Sequence, residues 1–139
     1  REKVESLILE LNLGNRFLIT GWVDNVYDFI NRFDIAVLLT RWEGFGFAVA
    51  EYMLSKKPLV STNVGGIPDI VKDGWNGLLI DSIDEKTAAS AVLTLYRDRE
   101  LSSSFIENGY DYVTQMLDVQ ITTNEHLKLF GSLLNDKIS

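Results

Sequence analysis

The sequence of 139 residues contains no cysteine and a single histidine. The first absence excludes disulfides, thiolate chemistry and zinc–cysteine sites, and it fits a cytoplasmic location. The second leaves His126 without another imidazole to share a metal; on a late helical stretch it reads as a surface or packing residue. Basic side chains are short too: 13 Lys and Arg against 20 Asp and Glu give a net charge of −7. A nucleic-acid binder needs a basic stripe. Lys56-Lys57 is the only adjacent basic pair and reads as a solvated turn. No apolar run approaches the roughly 18 residues that a membrane span needs. The opening Arg1-Glu2-Lys3-Val4-Glu5 is charged, carries no apolar signal region, and reads like the middle of a helix rather than a natural beginning.

What is present is ordinary for a globular chain, 46% hydrophobic and 24% charged, with a length that fits one domain over residues 1–139. Apolar residues alternate between helical and strand periods. Val4, Leu7, Ile8 and Leu11 line one face of a helix that Gly14 should stop. Residues 16–20 read as a strand ending at Gly21, and Asp24 can cap a helix with the face Val26, Phe29, Ile30 and Phe33. Residues 35–39 form a continuous apolar run, the mark of a strand buried on both faces. Residues 47–54 are apolar on nearly every side and predict a buried helix. Strands follow at 58–61 and 78–80, separated by a Gly65-Gly66 loop, a short helix opened by Pro68, and the turn dipeptides Asp73-Gly74 and Asn76-Gly77. Asp84 caps a helix with the face Ala88, Ala91, Val92 and Leu95, and two more helices cover about 99–116 and 118–136. Short strands between helices predict an α/β fold, a Rossmann-like parallel sheet with helices on both faces. Sites in such sheets lie outside the carboxyl ends of the strands, which selects the loops at 20–24, 40–46, 62–67 and 81–84.

The stretch Thr40-Arg41-Trp42-Glu43-Gly44-Phe45-Gly46-Phe47-Ala48-Val49-Ala50-Glu51 joins one of these strands to the apolar helix. Its glycines let a ligand approach the backbone closely. The helix that follows aims free N–H groups and a positive dipole end at the loop, a ready site for phosphate. Glu51 has no polar face to occupy, and a buried carboxylate without partners costs several kcal/mol. Two adjacent ribose hydroxyls would suit it; so would an internal backbone N–H or Arg41. Glu43 reads equally as a carboxylate complementing the helix dipole or as an acceptor for a sugar hydroxyl beside the phosphate. Gly44 and Gly46 match only part of a dinucleotide G-x-G-x-x-G, whose third position here is Val49, and no ribose-binding acid follows Ser61-Thr62-Asn63. The phosphate-binding loop G-x-x-x-x-G-K followed by Ser or Thr is absent. A glycosidase pair would sit about 5–9.5 Å apart. Eight helical residues span roughly 12 Å, which disfavours Glu43 with Glu51 as such a pair.

Glu43-Gly44-Phe45-Gly46-Phe47, closed by Glu51 in an E-x7-E pattern, resembles the signature of retaining glycosyltransferases of the GT-B fold, family 4. Further blocks resemble the same family in register: Leu18-Ile19-Thr20-Gly21-Trp22-Val23, Asp34 to Thr40, the run from Pro58 through Gly65-Gly66-Ile67-Pro68-Asp69-Ile70-Val71, and Asp73-Gly74-Trp75-Asn76-Gly77-Leu78-Leu79. The resemblance covers residues 1 to about 98 and implies the C-terminal, donor-binding half of such an enzyme, truncated at its N-terminal side. It implies transfer of a hexosyl unit from a UDP-, GDP- or ADP-sugar to a glycan or lipid acceptor with retention and without a bound metal. A parent enzyme would work in the cytoplasm, with peripheral membrane association open. Glu43 would act beside the donor sugar at the reacting centre. Gly44, Phe45, Gly46 and Phe47, through their backbone, would meet the sugar and diphosphate, with Thr40 at the loop's start. Glu51 would hold the ribose hydroxyls, and Gly21, Trp22 and Val23 would lie beside the base. Gly65 and Gly66 would wall the pocket, unless they are only a flexible turn.

Three departures stand out. Thr40 and Arg41 replace Pro-Ser-type residues, and Asp69 replaces the family's usual Glu. The Arg and Lys that the family sets against the diphosphate, and its N-terminal acceptor domain, are expected to precede this chain. The alternative is a nucleotide-sugar binding module without transferase activity. A response-regulator-type interaction domain would want an acidic cluster for which Asp81 and Asp84 are poor substitutes. Missing strands would leave an apolar edge, so self-association of the chain is expected.

Overall fold

The computed structural model describes residues 1–81 and 83–135. Ser82 of the fourth predicted loop and the predicted helix end at 136 lie outside the described residues. The elements run α1 (Glu2–Glu10), α2 (Tyr27–Ile30), β1 (Ala36–Leu38), α3 (Phe47–Leu54), β2 (Leu59–Thr62), α4 (Ile67–Ile70), β3 (Leu78–Ile80), α5 (Glu85–Arg97), α6 (Arg99–Met116) and α7 (Val119–Asn135). The strands form one parallel sheet in the order β1-β2-β3. Ala36 pairs with Leu59 and Leu38 with Ser61; Val60 pairs with Leu78 and Thr62 with Ile80. This is the expected Rossmann-like α/β arrangement.

The central strand β2 is buried along its whole length, as a parallel strand covered on both faces must be. Leu59 joins Ala36, Val49, Ala50, Met53, Ile67 and Ile70 under α3 and α4. Its neighbour Val60 points the other way and joins Ile80, Ala88 and Leu95 under α5. Helix α6 serves both layers, with Val113 in the first and Phe105 in the second. Each fully buried side chain of this kind contributes about 1.5–3 kcal/mol. Asp84 caps α5 as expected, accepting from the Lys86 and Thr87 N–H groups. Among the described residues no helix is long and apolar enough to cross a membrane.

Several local expectations are corrected. Residues 16–20 form no strand, because a strand needs a ladder partner and none lies beside them among the described residues. Without neighbours to pair with, Phe17 is 56% and Leu18 81% exposed. The strand at 35–39 shortens to three residues, and Val37 is exposed on what was expected to be a doubly covered strand. Helix α1 ends at Glu10 with Leu11 as its cap, short of Gly14, because Asn12 takes the left-handed conformation at φ 54°. Its apolar stripe packs against nothing deep, and it has no buried residue. Helix α2 starts at Tyr27, whose N–H is accepted by Asn25 rather than Asp24. Finally, α3 is buried on one side only: Val49, Ala50 and Met53 face the core, while Phe47, Glu51 and Leu54, spaced at i, i+4 and i+7, share its open side.

Candidate functional site

The site grows from the carboxyl ends of β1 and β2. Where the ladder between them ends, the Thr62 hydroxyl takes over: it donates to the Thr40 carbonyl at 2.7 Å and accepts the Thr40 N–H at 3.2 Å. Thr62 is buried, so this clasp is shielded from water. The Thr40 hydroxyl donates in turn to the Trp42 carbonyl at 2.7 Å and folds the loop back on itself. One step along the sheet, the Asn63 side-chain amide donates to Asp81 at 2.8 Å and ties the end of β2 to that of β3. The loop at 62–67 was among those expected to carry a site, but neither Thr62 nor Asn63 was singled out within it. Their signal was a row of three hydrogen-bonding side chains, Ser61-Thr62-Asn63, directly after an apolar strand.

The loop then passes Glu43 and Gly44 to Gly46, whose φ of 96° turns the chain straight into α3. Only glycine adopts that conformation without strain. No side chain caps α3, and the N–H groups of Phe45, Gly46, Phe47 and Ala48 find no partner among the described residues. These donors and the positive end of the helix dipole open onto the loop mouth. Three aromatic residues rim it: Trp42 is 78% exposed, Phe47 69%, and the Phe45 and Phe47 rings lie 4.8 Å apart.

The two acidic residues differ in their surroundings. Glu43 is half-buried and turned back on its own loop, with Oε1 accepting the Gly44 N–H at 3.1 Å. Glu51 is also half-buried, on the open side of α3 one turn beyond Phe47, and its carboxylate has neither hydrogen bond nor ion pair among the described residues. The internal partners considered for it, a backbone N–H or Arg41, are not used. Beside it, burial, together with the nearby Glu51 charge, raises the phenol of Tyr52 above its usual pKa of 10.0.

Gly65 and Gly66 are not a loose turn. Gly65 has φ 55°, and a methyl group added there would stand 1.8 Å from the Glu43 carbonyl oxygen. One added at Gly66 would stand 2.3 Å from the Gly44 oxygen. The Gly66 N–H donates to the Gly44 carbonyl at 3.1 Å. The two glycine loops therefore touch backbone to backbone, a contact that no residue with a side chain permits. The structure thus brings Thr40, Glu43, Gly44, Phe45, Gly46, Phe47, Glu51, Gly65 and Gly66 into one region. Gly21, Trp22 and Val23 are not tied into it: no hydrogen bond or ring contact links them to these loops among the described residues, and Trp22 is 94% exposed. The Asp73–Gly77 turn, read in the sequence only as punctuation, closes around Asn76, which is 1% exposed and bonds both Ile70 O and Lys72 N–H.

Comparison with known proteins bears on the family and the fold. The family model described as "Glycosyl transferases group 1" matches residues 1–112. An uncharacterized glycosyltransferase of Methanocaldococcus jannaschii is 33% identical over 112 residues, covering 80% of this chain and 32% of that protein. N-acetyl-alpha-D-glucosaminyl L-malate synthase of Bacillus anthracis is 28% identical over 130 residues, covering 94% of this chain and 34% of its own length. The chain thus spans about a third of the length of these curated relatives. Among solved structures, Anabaena HepE in complex with UDP and glucose shares the fold with a TM-score of 0.86 at 23% identity, over 94% of this chain and 36% of that one. The C-terminal domain of a glycosyl transferase group 1 family protein from Francisella tularensis gives a TM-score of 0.76 at 26% identity, over 85% of this chain and 62% of that one. A match that runs through both glycine loops and over most of the chain leaves one conclusion: this chain belongs to the glycosyl transferases group 1 family.

Proposed function

We propose that this chain is the donor-binding part of a retaining, GT-B family 4 glycosyltransferase, which moves a hexosyl unit from a nucleotide diphosphate sugar to a glycan or lipid acceptor. The observation that carries the proposal is the pairing of an unpartnered carboxylate with an uncapped helix start. Glu51 stands four residues, or ~6 Å of helix rise, beyond the free N–H groups of Phe47 and its neighbours. A nucleoside diphosphate carries a ribose diol and a diphosphate within that reach. The diol suits the two oxygens of Glu51, and the diphosphate suits the N–H groups and the helix dipole. Glu43, across the loop, would face the donor sugar. Gly65 and Gly66 would wall the pocket, and Gly21, Trp22 and Val23 would meet the base. Backbone donors and the dipole would stabilise the leaving diphosphate without a metal. The structure of Anabaena HepE holds UDP, which makes UDP the first nucleotide to try.

Arg41 is the only basic residue in the stretch from Thr40 to Glu51. Binding by this chain alone is therefore expected to be weak, and turnover absent. The test is calorimetric titration with UDP, GDP and ADP. One of the three should bind, and Glu51→Gln should weaken it about 10- to 100-fold, the range for a hydrogen bond to a charged group. Equal binding by the variant would sink the ribose assignment.

A further inference from the structure

Helix α4 has four residues, too few to hold itself, since helices shorter than about 12 residues are marginal without outside support. Ile67 and Ile70 anchor it in the core, and two side chains brace the carbonyls at its far end. The Lys72 ammonium donates to the Pro68 carbonyl at 2.8 Å and to the Asp69 carbonyl at 3.1 Å. The Tyr112 hydroxyl, 43 residues away on α6, donates to the same Asp69 carbonyl at 3.0 Å. The Lys72 cation lies 6.0 Å from the Tyr112 ring centroid, and Trp75 meets that ring edge-on at 5.8 Å. A cation on the last carbonyls also complements the negative end of the helix. At its near end α4 begins from Gly66, whose N–H reaches the Gly44 carbonyl at 3.1 Å and the Glu43 carbonyl at 3.4 Å.

The geometry points to Lys72 and Tyr112 as positioning residues of the donor site: through the short strut α4 they hold Gly65 and Gly66 against Glu43 and Gly44. The inference rests on the donor-site reading above. Because the contact at Gly65 is backbone on backbone, it has no side chain to absorb a shift of α4. A movement at the braced end passes to the Glu43 loop and to the N–H groups that start α3. Glu51 sits on α3 itself and is held by the core residues Val49, Ala50 and Met53, so its part of the site is independent of the brace. Tyr112 and Lys72 therefore act on the diphosphate side of the pocket and not on the ribose side.

The experiment uses Tyr112→Phe, which removes one hydroxyl, Lys72→Met, which removes the cation, and Lys72→Arg, which restores donors to the same carbonyls. The first readout is amide hydrogen exchange at Gly66, with Val60 in the central strand as reference. Exchange at Gly66 should rise about fivefold in Tyr112→Phe and in Lys72→Met, the equivalent of roughly 1 kcal/mol for one net hydrogen bond, and Lys72→Arg should stay near wild type. Val60 should not change. The second readout is titration with UDP, GDP and ADP beside uridine, guanosine and adenosine. Affinity for the diphosphate that binds should fall about fivefold in the first two variants, while affinity for its nucleoside holds. Unchanged Gly66 exchange would overturn the strut. Faster exchange with intact diphosphate binding would reduce Lys72 and Tyr112 to ordinary structural residues. A wild-type chain that binds none of the three diphosphates would overturn the donor-site reading instead, and the Gly66 exchange would still decide the strut.

Discussion

Replacing Gly65 by alanine sets a methyl group 1.8 Å from the Glu43 carbonyl oxygen and 2.8 Å from its carbonyl carbon. Non-bonded carbon and oxygen approach to about 3.3 Å, so the two loops would have to part by roughly 1.5 Å. Both atoms belong to backbone, and no rotamer change can relieve the clash. Overpacking of this kind costs about 1–3 kcal/mol, and the left-handed backbone at φ 55° adds roughly 1–2 kcal/mol for any residue with a Cβ. At about 4 °C of melting temperature per kcal/mol, Gly65→Ala should lower Tm by about 8–20 °C. Gly74 supplies the control. It has φ 71° and open space around it, so Gly74→Ala carries only the backbone cost and should lower Tm by about 4–8 °C. Differential scanning calorimetry on the two variants separates the terms. Equal shifts for Gly65→Ala and Gly74→Ala would refute the claim that the two glycine loops are locked by close approach.

Asn76→Ala should cost about 2–4 kcal/mol in urea unfolding, because it strips partners from the Ile70 carbonyl and the Lys72 N–H inside the fold; a midpoint equal to wild type would count against the Asn76 bracket. Burial favours the neutral phenol of Tyr52, so the folded-state pKa lies above the unfolded value of 10.0; the stability this gives is present below pH 10.0 and drains away as pH rises further. Tyr52→Phe should therefore lose stability less steeply than wild type above that pH, and parallel curves would oppose the assignment. The open edge of β1, with Val37 and Leu39 each 40% exposed, should let chains associate as concentration rises. Val37→Lys should suppress this, and sedimentation showing a wild-type monomer at every concentration would remove the edge as a contact.

The two edges of the sheet show why some of this was legible and some was not. At β3, Asp73 accepts the Leu79 N–H at 2.8 Å and occupies a backbone donor of the edge strand. The Asp73-Gly74 and Asn76-Gly77 dipeptides announced a turn there, but not that its side chains would finish the edge and fill the turn. At β1 no such device exists among the described residues. The apolar run at 35–39 predicted cover on both faces, and periodicity cannot say whether the covering partner is at hand. The same limit explains residues 16–20. Their composition is that of a strand, and strand formation is decided by a neighbour that composition does not contain.

The sequence by itself determined what depends on neighbours a few positions away. Helical periods set α5 and α6, Asp84 set the start of α5, and short apolar runs marked the three strands that form the parallel sheet. The motif from Glu43 to Glu51 marked the loop and helix of the candidate site. Only the tertiary structure decided what depends on distant backbone meeting distant backbone. It turned Gly65 and Gly66 from a turn into a contact with Glu43 and Gly44, gave Thr62 to Thr40 as a clasp, set Lys72 and Tyr112 at the end of α4, and left Glu51 on an open helix side without a partner among the described residues. The physical reason is range. Helix faces and caps are satisfied within about one turn of chain, whereas a ladder, a close approach or a shared carbonyl exists only once segments far apart in sequence have been packed together.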